Sequence, residues 1–477
     1  MSRSGSLCLL LHSHMPYVEG FGTWPFGEEW LFEAVASSYM PLLEVLDGAA
    51  VTVTVTPVLA DQFEAMRDGE AGDRFLSFLR DVRALVHAED ARELDAAGDG
   101  ELAAELRRAA ADYERADAFF ESHGRDLLGA FARLDGVELW TSAATHAVLP
   151  LLATREGAAL QLAAGIDSHE RRFGRWCGGL WLPECAYRPG LEGDLAERGV
   201  RVVCVDQTDS FGKGGLDNLE PVAAGEGVVA VPIDWETICL VWDMEAGYPA
   251  TDTYRDYHRK TRYHLKPWNV AGAPYRHDDA AALAQRHARE FVASVAERLD
   301  AYASKRGRPG LLCCALDTEL LGHWWYEGPL WLAAVIEEAR AAGVELRTVS
   351  DALADCKPVE RSLEESTWGT PKTLRTWDSP AVAEIAFAQR RAELAVVAAA
   401  TRFGRSNRLE RAARELLALQ SSDWAFQATH DQAGAYPVER VQRHAAAVHA
   451  ALGGDPDPDP AVRGLAPELD LSSLLLP

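Results

Sequence analysis

Two carboxylates stand out because each directly follows a short apolar run. Glu184 lies in GLWLPECAYRPG, residues 179–190, and Asp317 lies in LDTELLGHWWYEG, residues 316–328. The prolines on both sides of Glu184 restrict the backbone, which suits a nucleophile held in a fixed attack geometry. Two such carboxylates among aromatic residues indicate glycoside chemistry, in which one acts as nucleophile and the other as general acid and base.

Polar residues follow several other apolar runs as well. His12 and His14 end the first run, His146 follows the third, and Asp206 ends the fifth. Any one of these is commonly a core histidine or a helix cap. Polar residues at the carboxyl ends of several parallel strands, however, are typical of a barrel active site.

The elements that must position these residues are strands that alternate with amphipathic helices. This alternation predicts a parallel sheet with helices outside it. The Ala/Glu/Arg-rich span of about 62–135 is too long for one crossover and is predicted to be a helical insertion. The strand-like runs are residues 7–12, 51–56, 137–142, 179–183, 200–205, 228–233, 311–316 and 344–349.

Strand patterns stop after about residue 380. Residues 380–403, 406–420 and 437–452 have helical periodicity and predict a C-terminal helical bundle. The tail beginning GGDPDPDPAVRG is rich in turn residues and is predicted to be loose.

Net charge, cysteine pattern and the N-terminal segment limit the kinds of ligand and cellular location that the chain is expected to have. The chain has 477 residues and a net charge of −26, which argues against nucleic acid or an anionic membrane and favours a neutral or cationic ligand. The eight cysteines include no CxxC pair, so free thiols in a reducing cytoplasm are expected. The N-terminal apolar run is short and interrupted by histidines, unlike a signal peptide or a membrane span.

Four of the fourteen tryptophans lie in segments rich in Gly, Pro, Ser and Thr rather than in periodic apolar runs. Indole rings stack well on the apolar C–H faces of sugars. We therefore expect these four to line a ligand groove: Trp24, Trp268, Trp368 and Trp377.

The motifs together resemble those of glycoside hydrolase family 57, and in particular its α-1,4-glucan branching enzymes. HSHMPYV, THAVLPLL, GLWLPECAYRPG and LDTELLGHWWYEG are similar to four motifs of the family. LQSSDWAF, residues 419–426, resembles a C-terminal motif of the branching enzymes. The resemblance extends from residue 8 to about 425.

The resemblance implies a role for each matching residue. Glu184 would be the nucleophile and Asp317 the general acid and base, without cofactor or metal, acting on an α-1,4-glucan such as amylose or glycogen. A retaining pair of this kind should have carboxyl groups about 5–6 Å apart. The implied substrate-binding residues are His12, His14, Trp24, His146, Trp268, His323, Trp368, Trp377, Asp423 and Trp424.

The family fold implied is an α/β fold, an incomplete TIM-like (β/α)7 barrel with a helical insertion and a C-terminal α-helical domain. We expect the barrel over residues 1–355, the helical domain over 356–452 and the tail over 453–477. Since eight strand-like runs exceed seven, one must lie outside the barrel; 228–233 and 51–56 are the candidates.

Two segments depart from the branching enzymes that the chain resembles. Those enzymes cover the active site with a long loop that carries a tyrosine, whereas residues 206–227 here contain only one aromatic residue, Phe211. GTPKTLRTW, after Trp368, also lacks the usual glycine pair and histidine. The catalytic residues transfer from the resemblance, but the preference for transfer over hydrolysis does not.

Other functions stay open at the level of sequence. A 4-α-glucanotransferase or an α-amylase would use the same catalytic pair. HSH could begin a metal site completed by His146 and Asp317, which would leave Glu184 without a role. An inactive glucan-binding protein is a further alternative because of the altered loop.

Overall fold

The protein is described by a computed structural model, which covers residues 4–243, 245–454, 462 and 464–475. Nine strands in this part of the chain form one sheet: β1 Gly5–Ser13, β2 Thr52–Val55, β3 Glu138–Ser142, β4 Gly179–Trp181, β5 Val202–Val205, β6 Val222–Gly225, β7 Val228–Pro232, β8 Gly310–Asp317 and β9 Glu345–Leu346.

Seven of these strands are parallel and form a curled sheet in the order β7-β5-β4-β3-β2-β1-β8. A single parallel bridge between Ile233 and Cys313 links the end of β7 to β8. β6 is an antiparallel strand at the outer edge of β7. The predicted (β/α)7 barrel is therefore confirmed.

The strand outside the barrel is neither of the two that we expected. Residues 228–233 and 51–56 contain β7 and β2, which are both barrel strands. The outlying run is 344–349, of which only two residues pair, as β9, with the beginning of β1. Periodicity alone does not distinguish this short edge pairing from a full barrel strand.

Helices in the described residues cover the sheet and extend from it: α1 Glu28–Ala34, α2 Met40–Leu46, α3 Pro57–Asp68, α4 Glu70–Ser77, α5 Ala84–Ala97, α6 Gly100–Ser122, α7 Leu127–Ala132, α8 Arg155–Phe173, α9 Leu191–Glu197, α10 Thr208–Phe211, α11 Trp235–Trp242, α12 His277–Arg306, α13 Gly328–Ala342, α14 Val349–Asp355, α15 Ala383–Phe403, α16 Asn407–Leu419, α17 Asp423–Thr429 and α18 Tyr436–Gly453. None of them is both long and apolar enough to cross a membrane.

The predicted helical insertion is confirmed, since α3 to α7 occupy the chain between β2 and β3. The three predicted C-terminal helices are also present, as α15, α16 and α18. α17 is an additional short helix between the last two. The domain boundaries proposed from the sequence stay predictions.

The tail is only partly as predicted. Leu465, Leu471 and Leu474 are buried, and a 3-10 turn at Ser472–Leu475 packs against α8 and α15. The expectation of a loose tail is therefore wrong for residues 464–475. The apolar residues that follow the Asp-Pro repeat in the sequence pack against α8 and α15. Residues 455–461, 463, 476 and 477 lie outside the described part.

The helical region packs directly on the barrel. Its core, built from α15, α16 and α18, also includes Tyr17 and Ala144 from loops after β1 and β3, and Val58 from the first turn of α3. On α15, Glu393 accepts hydrogen bonds from the backbone N–H groups of Ala153 and Thr154 at 3.0 and 2.7 Å. This packing brings α17 to the carboxyl ends of the barrel strands.

Candidate active site

Glu184 lies in a tight turn directly after β4. The turn spans Pro183–Cys185, and Glu184 has φ +62° and ψ +22°, in the left-handed region. His146, after β3, has φ +60°. Such backbone costs of order 1–3 kcal/mol for a non-glycine residue and persists where the surroundings over-determine it, most often at functional sites.

Two donors hold the Glu184 carboxylate. The indole Nε1 of Trp368 donates to Oε2 at 2.9 Å, and the hydroxyl of Ser422 donates to Oε1 at 2.8 Å. Burial raises the pKa of Glu184, and these two hydrogen bonds oppose that rise because they favour the charged form. The carboxylate is therefore oriented by groups from two different loops.

Asp317 ends β8 and is paired in register with His12 on β1. Burial raises its pKa well above the usual value, and the negative charges of Glu319, Glu184 and Asp423 raise it further. This environment favours the protonated form of the carboxyl group, as the role of a general acid requires.

Three histidines form a stack beside the two carboxyl groups. The ring of His146 lies 4.7 Å from that of His12 and 4.2 Å from that of His14, and His12 stacks on Trp181 at 4.7 Å. Burial lowers the pKa of His12 and of His146, which are therefore neutral. Within the described residues, both ring nitrogens of His12 and Nε2 of His146 lack a partner.

His14 is the charged member of the stack. Its Nε2 lies 2.9 Å from Oδ2 of Asp423, the first residue of α17, and its Nδ1 lies 3.2 Å from the Thr56 hydroxyl. Burial opposes the charged form of His14, but Asp423, with help from Glu319 and Glu184, outweighs it and raises the pKa. Burial likewise raises the pKa of Asp423, but His14 outweighs it, and the pKa falls to about 2.

The two carboxyl groups, the three histidines and Asp423 line one cavity of about 2260 Å³ at the carboxyl ends of the strands. The wall includes residues of the helical region, among them Phe426 and His430. Nine of the residues singled out from the sequence line it: His12, His14, Trp24, His146, Glu184, Asp317, His323, Trp368 and Asp423.

Comparison with known proteins identifies the family. The model of glycosyl hydrolase family 57 matches residues 8–364, and that of the 1,4-alpha-glucan branching enzyme C-terminal domain matches residues 386–453. The chain belongs to glycoside hydrolase family 57.

Relatives and solved structures agree with this assignment. The 1,4-alpha-glucan branching enzyme of Thermococcus kodakarensis is 32% identical over 500 residues, covering 93% of this chain and 73% of that protein. A probable 1,4-alpha-glucan branching enzyme of Mycobacterium tuberculosis is 34% identical, with 94% and 92% covered. The crystal structure of a family 57 branching enzyme from Pyrococcus horikoshii superposes with a TM-score of 0.90 at 31% identity, covering 99% and 97%.

Three predicted contact residues of this family 57 protein do not line the cavity. Trp424 is fully buried and donates from Nε1 to the carbonyl of Ala418, and Trp377 is 3% exposed. The guanidinium carbon of Arg259 lies over the Trp268 ring, 4.4 Å from the ring centre. Trp377 and Trp424 pack inside the protein and Trp268 packs on Arg259, so none of the three lines the cavity here, and the expected contacts with glucan stay predictions.

Other residues of the site were missed by sequence reasoning. Ser422 donates to Glu184 and also lies 2.9 Å from Nδ1 of His146. Glu319 accepts from the Tyr39 hydroxyl and from the backbone N–H of His14 at 3.0 Å, and burial raises its pKa to about 7. The spacing of Glu319, two residues after Asp317, was the one available signal. Further aromatic residues of the wall are Trp235, Trp242, Tyr257 and Trp324.

The segment after β5 forms short helices and a strand rather than a long loop over the active site. Residues 206–227 contain α10, a 3-10 turn at Leu216–Leu219 and β6. Phe211 packs beside the Arg361 guanidinium and does not line the cavity, whereas Thr208 and Lys213 do. Phe211 is therefore not a substitute for the missing tyrosine in this arrangement.

Among the residues that the structure describes, no three His, Cys, Asp or Glu side chains are grouped to hold a metal ion. The alternative of a metal-dependent hydrolase is left to metal analysis of the purified protein.

Proposed function

We propose that this family 57 protein is a 1,4-α-glucan branching enzyme that acts in glycogen or related glucan synthesis. It cleaves an α-1,4 bond and transfers the released chain to a 6-hydroxyl. The observation that carries the proposal is the shared cavity of Glu184 and Asp317, in which two hydrogen bonds favour the charged form of Glu184 and burial beside negative charges favours the protonated form of Asp317. The match of residues 386–453 to the branching-enzyme C-terminal domain favours branching over the other activities of the family.

The mechanism follows from the different surroundings of the two carboxyl groups. Asp317 protonates the leaving glycosidic oxygen while Glu184 attacks the anomeric carbon, which gives a covalent glycosyl-enzyme. Asp317 then removes the proton of the incoming acceptor. A carboxyl separation of about 5–6 Å, as expected of a retaining pair, stays a prediction to be measured in a crystal structure.

The neutral histidines have a separate task. His12 and His146 offer buried ring nitrogens without partners, which suits hydrogen bonds to hydroxyls of the reacting sugar. Trp24 and Trp368 offer ring faces for stacking on neighbouring sugars.

The glycosyl-enzyme reacts with whatever nucleophile reaches it, so selectivity depends on excluding water. The segment 206–227 offers no aromatic ring to the cavity. We therefore expect branching together with substantial hydrolysis.

The test is product analysis after incubation with amylose. New α-1,6 linkages are quantified by debranching, and new reducing ends are counted in the same samples. Branching gives α-1,6 linkages, a 4-α-glucanotransferase gives α-1,4 products of altered length, and an α-amylase gives reducing ends alone. Glycogen binding without any product would indicate an inactive binding protein, and loss of turnover after chelation would indicate a metal-dependent hydrolase.

We also propose that the enzyme works in the cytoplasm. All eight cysteines are free, and five of the six that are buried lie within or next to barrel strands. Reduced cysteines of this kind are typical of a reducing compartment. Cell fractionation with an antibody to the protein tests this location.

A further inference from the structure

Lysine is rare in this chain and is concentrated at the cavity. The sequence contains six lysines, and four of them line the cavity: Lys213, Lys260, Lys266 and Lys372. The other two, Lys305 and Lys357, are exposed elsewhere. Since arginine supplies nearly all other positive charge, the placement of these four indicates a task for a compact ammonium group.

Two of the cavity lysines, Lys260 and Lys266, lie together and have no carboxylate partner among the described residues, as is also true of Lys213. Lys372 lies 2.8 Å from Asp206, but across the described residues no carboxylate oxygen lies within 4.0 Å of Lys260 or Lys266. Both ammonium groups lie against the ring of Tyr257, at 5.2 and 3.9 Å from its centre. They therefore form a local positive cluster in a protein with a net charge of −26.

The surroundings of Lys266 make its charge costly without a counter-ion. Burial lowers the pKa of Lys266 to about 7; Glu33 opposes this shift, and the cations Lys260, Arg255 and Arg83 add to it. A bound anion would relieve this cost, because an opposite charge favours the ammonium form. A neutral glucan has no group that can do so.

The cluster lies close to the catalytic strand. The ring of Tyr257 is 6.4 Å from that of His323, which follows Asp317 by six residues. Burial lowers the pKa of His323 to about 3, and the charges of Lys266 and Lys260 contribute to that fall. An anionic group held there would be attached to a sugar in the same cavity as the catalytic pair.

We infer that Lys260, Lys266 and Tyr257 form a subsite for a phosphate ester carried by the glucan chain. A phosphate monoester has a charge of about −1.5 to −2 at pH 7, which matches two ammonium groups. Lysine binds phosphate as a point charge, whereas a carboxylate is typically bound in bidentate fashion by arginine.

This inference depends on the proposed function only in taking a glucan as the carrier of the phosphate. It differs from the expectation of a neutral or cationic ligand, which rested on the net charge of the whole chain. Exposed charges beyond roughly 8 Å are largely screened at physiological salt, so the nearby lysines outweigh the distant acidic surface.

The experiment measures binding by calorimetry with the full chain carrying Glu184→Gln, so that no turnover occurs. The two probes are maltoheptaose and maltoheptaose that carries one 6-phosphate ester. We expect the phosphorylated probe to bind about tenfold more tightly, a ratio that decreases with added salt. Adding Lys260→Gln and Lys266→Gln should remove the preference and leave the affinity for maltoheptaose unchanged.

A matched control is the pair Lys305→Gln and Lys357→Gln, which removes the same charge outside the cavity and should keep the preference. Lys266→Arg should keep most of it, since a cation remains. Equal affinity for the two probes overturns the subsite, as does a preference that survives loss of Lys260 and Lys266. Stronger binding of maltoheptaose oxidised to a terminal carboxylate than of the phosphorylated probe overturns the assignment to phosphate.

The same proteins without Glu184→Gln are assayed for branching of unphosphorylated amylose. A phosphate preference with no branching activity contradicts the proposed function and leaves the subsite standing. Branching activity without a phosphate preference supports the proposed function and overturns the subsite.

Discussion

The two catalytic candidates differ in what surrounds their carboxyl groups, and this difference divides their roles. Glu184 accepts two hydrogen bonds, while in the part of the chain that the structure describes no donor is directed at Asp317. Hydrogen bonds to the charged form favour ionisation, whereas burial beside other negative charges favours protonation. The same cavity thus favours the charged form of one carboxyl group by hydrogen bonds and the protonated form of the other by burial and charge.

Neutral replacement of either group should abolish turnover. Glu184→Gln removes the nucleophile and Asp317→Asn removes the acid and base; loss of proton transfer alone costs about 10²–10⁴ in rate. The assay is total product formation on amylose, with thermal unfolding as the check on folding. A variant that keeps more than about a tenth of the wild-type rate contradicts the role of that residue.

Glu319→Gln tests how the acid keeps its proton. After burial, the charge of Glu319 is the main cause that raises the pKa of Asp317. The amide carries no charge, so the pKa of Asp317 should fall and the alkaline limb of the kcat/KM profile should move to lower pH. Glu337→Gln, at another position on the cavity wall, is the control and should leave that limb in place. An unmoved limb in Glu319→Gln contradicts the account.

At the scale of elements, the loop that carries Trp368 is fastened at both ends. Ser366 and Tyr187 exchange backbone hydrogen bonds at 3.0 and 2.9 Å. Lys372 donates to the carbonyl of Trp368 at 3.1 Å and pairs with Asp206, which is fully buried. The departure from the family at GTPKTLRTW thus has a structural counterpart, in which a lysine anchors the loop.

Loosening this anchor should affect kcat more than KM. In Lys372→Met the loop loses its attachment to Asp206, so Trp368 holds Glu184 less well and kcat should fall by about tenfold, the cost of a modest misplacement near the chemistry. Lys372→Arg should restore much of the rate, and Lys357→Met is the surface control. An increase in KM with unchanged kcat would assign Lys372 to substrate binding instead.

The segment after β5 allows a direct test of water exclusion. Positions 216 and 217 are unsuited to a tyrosine that should cover the cavity, because both side chains have structural contacts. Leu216 packs on the core, and Asp217 accepts a hydrogen bond from Arg306. Lys213 lines the cavity, so Lys213→Tyr should cover the intermediate better and raise the ratio of α-1,6 linkages to reducing ends. Lys213→Gln controls for the lost charge and Asp209→Tyr for the added ring. A ratio equal to that of both controls would show that closure by this segment does not limit transfer.

At the scale of the whole molecule, the sequence predicted the residues at the strand ends and missed contacts between residues that lie far apart in the sequence. Strand-end positions placed Glu184 and Asp317 correctly in one cavity, because the carboxyl ends of parallel strands meet at one face. Ser422 was missed because its partner, Glu184, is 238 residues away. Trp377 was expected in the groove from loop composition and Trp424 from the family motif, and neither signal shows that the helical region buries these rings.

The helical region must be held on the barrel, since it supplies Ser422 and Asp423 to the site. Glu393 fastens it by accepting from Ala153, Thr154 and Gln420. Glu393→Ala leaves these donors without their acceptor, and each one that water cannot reach costs about 1–3 kcal/mol.

We therefore expect Glu393→Ala to lower the midpoint of thermal unfolding by roughly 3–6 °C, followed by far-UV circular dichroism. Activity should be lost at the same or a lower temperature, because α17 moves with the region that Glu393 attaches. Glu410→Ala removes an exposed i,i+4 partner of Arg414 and should change the midpoint by less than about 1 °C. If Glu393→Ala unfolds and loses activity at the same temperatures as the wild type, apolar packing alone holds the helical region on the barrel.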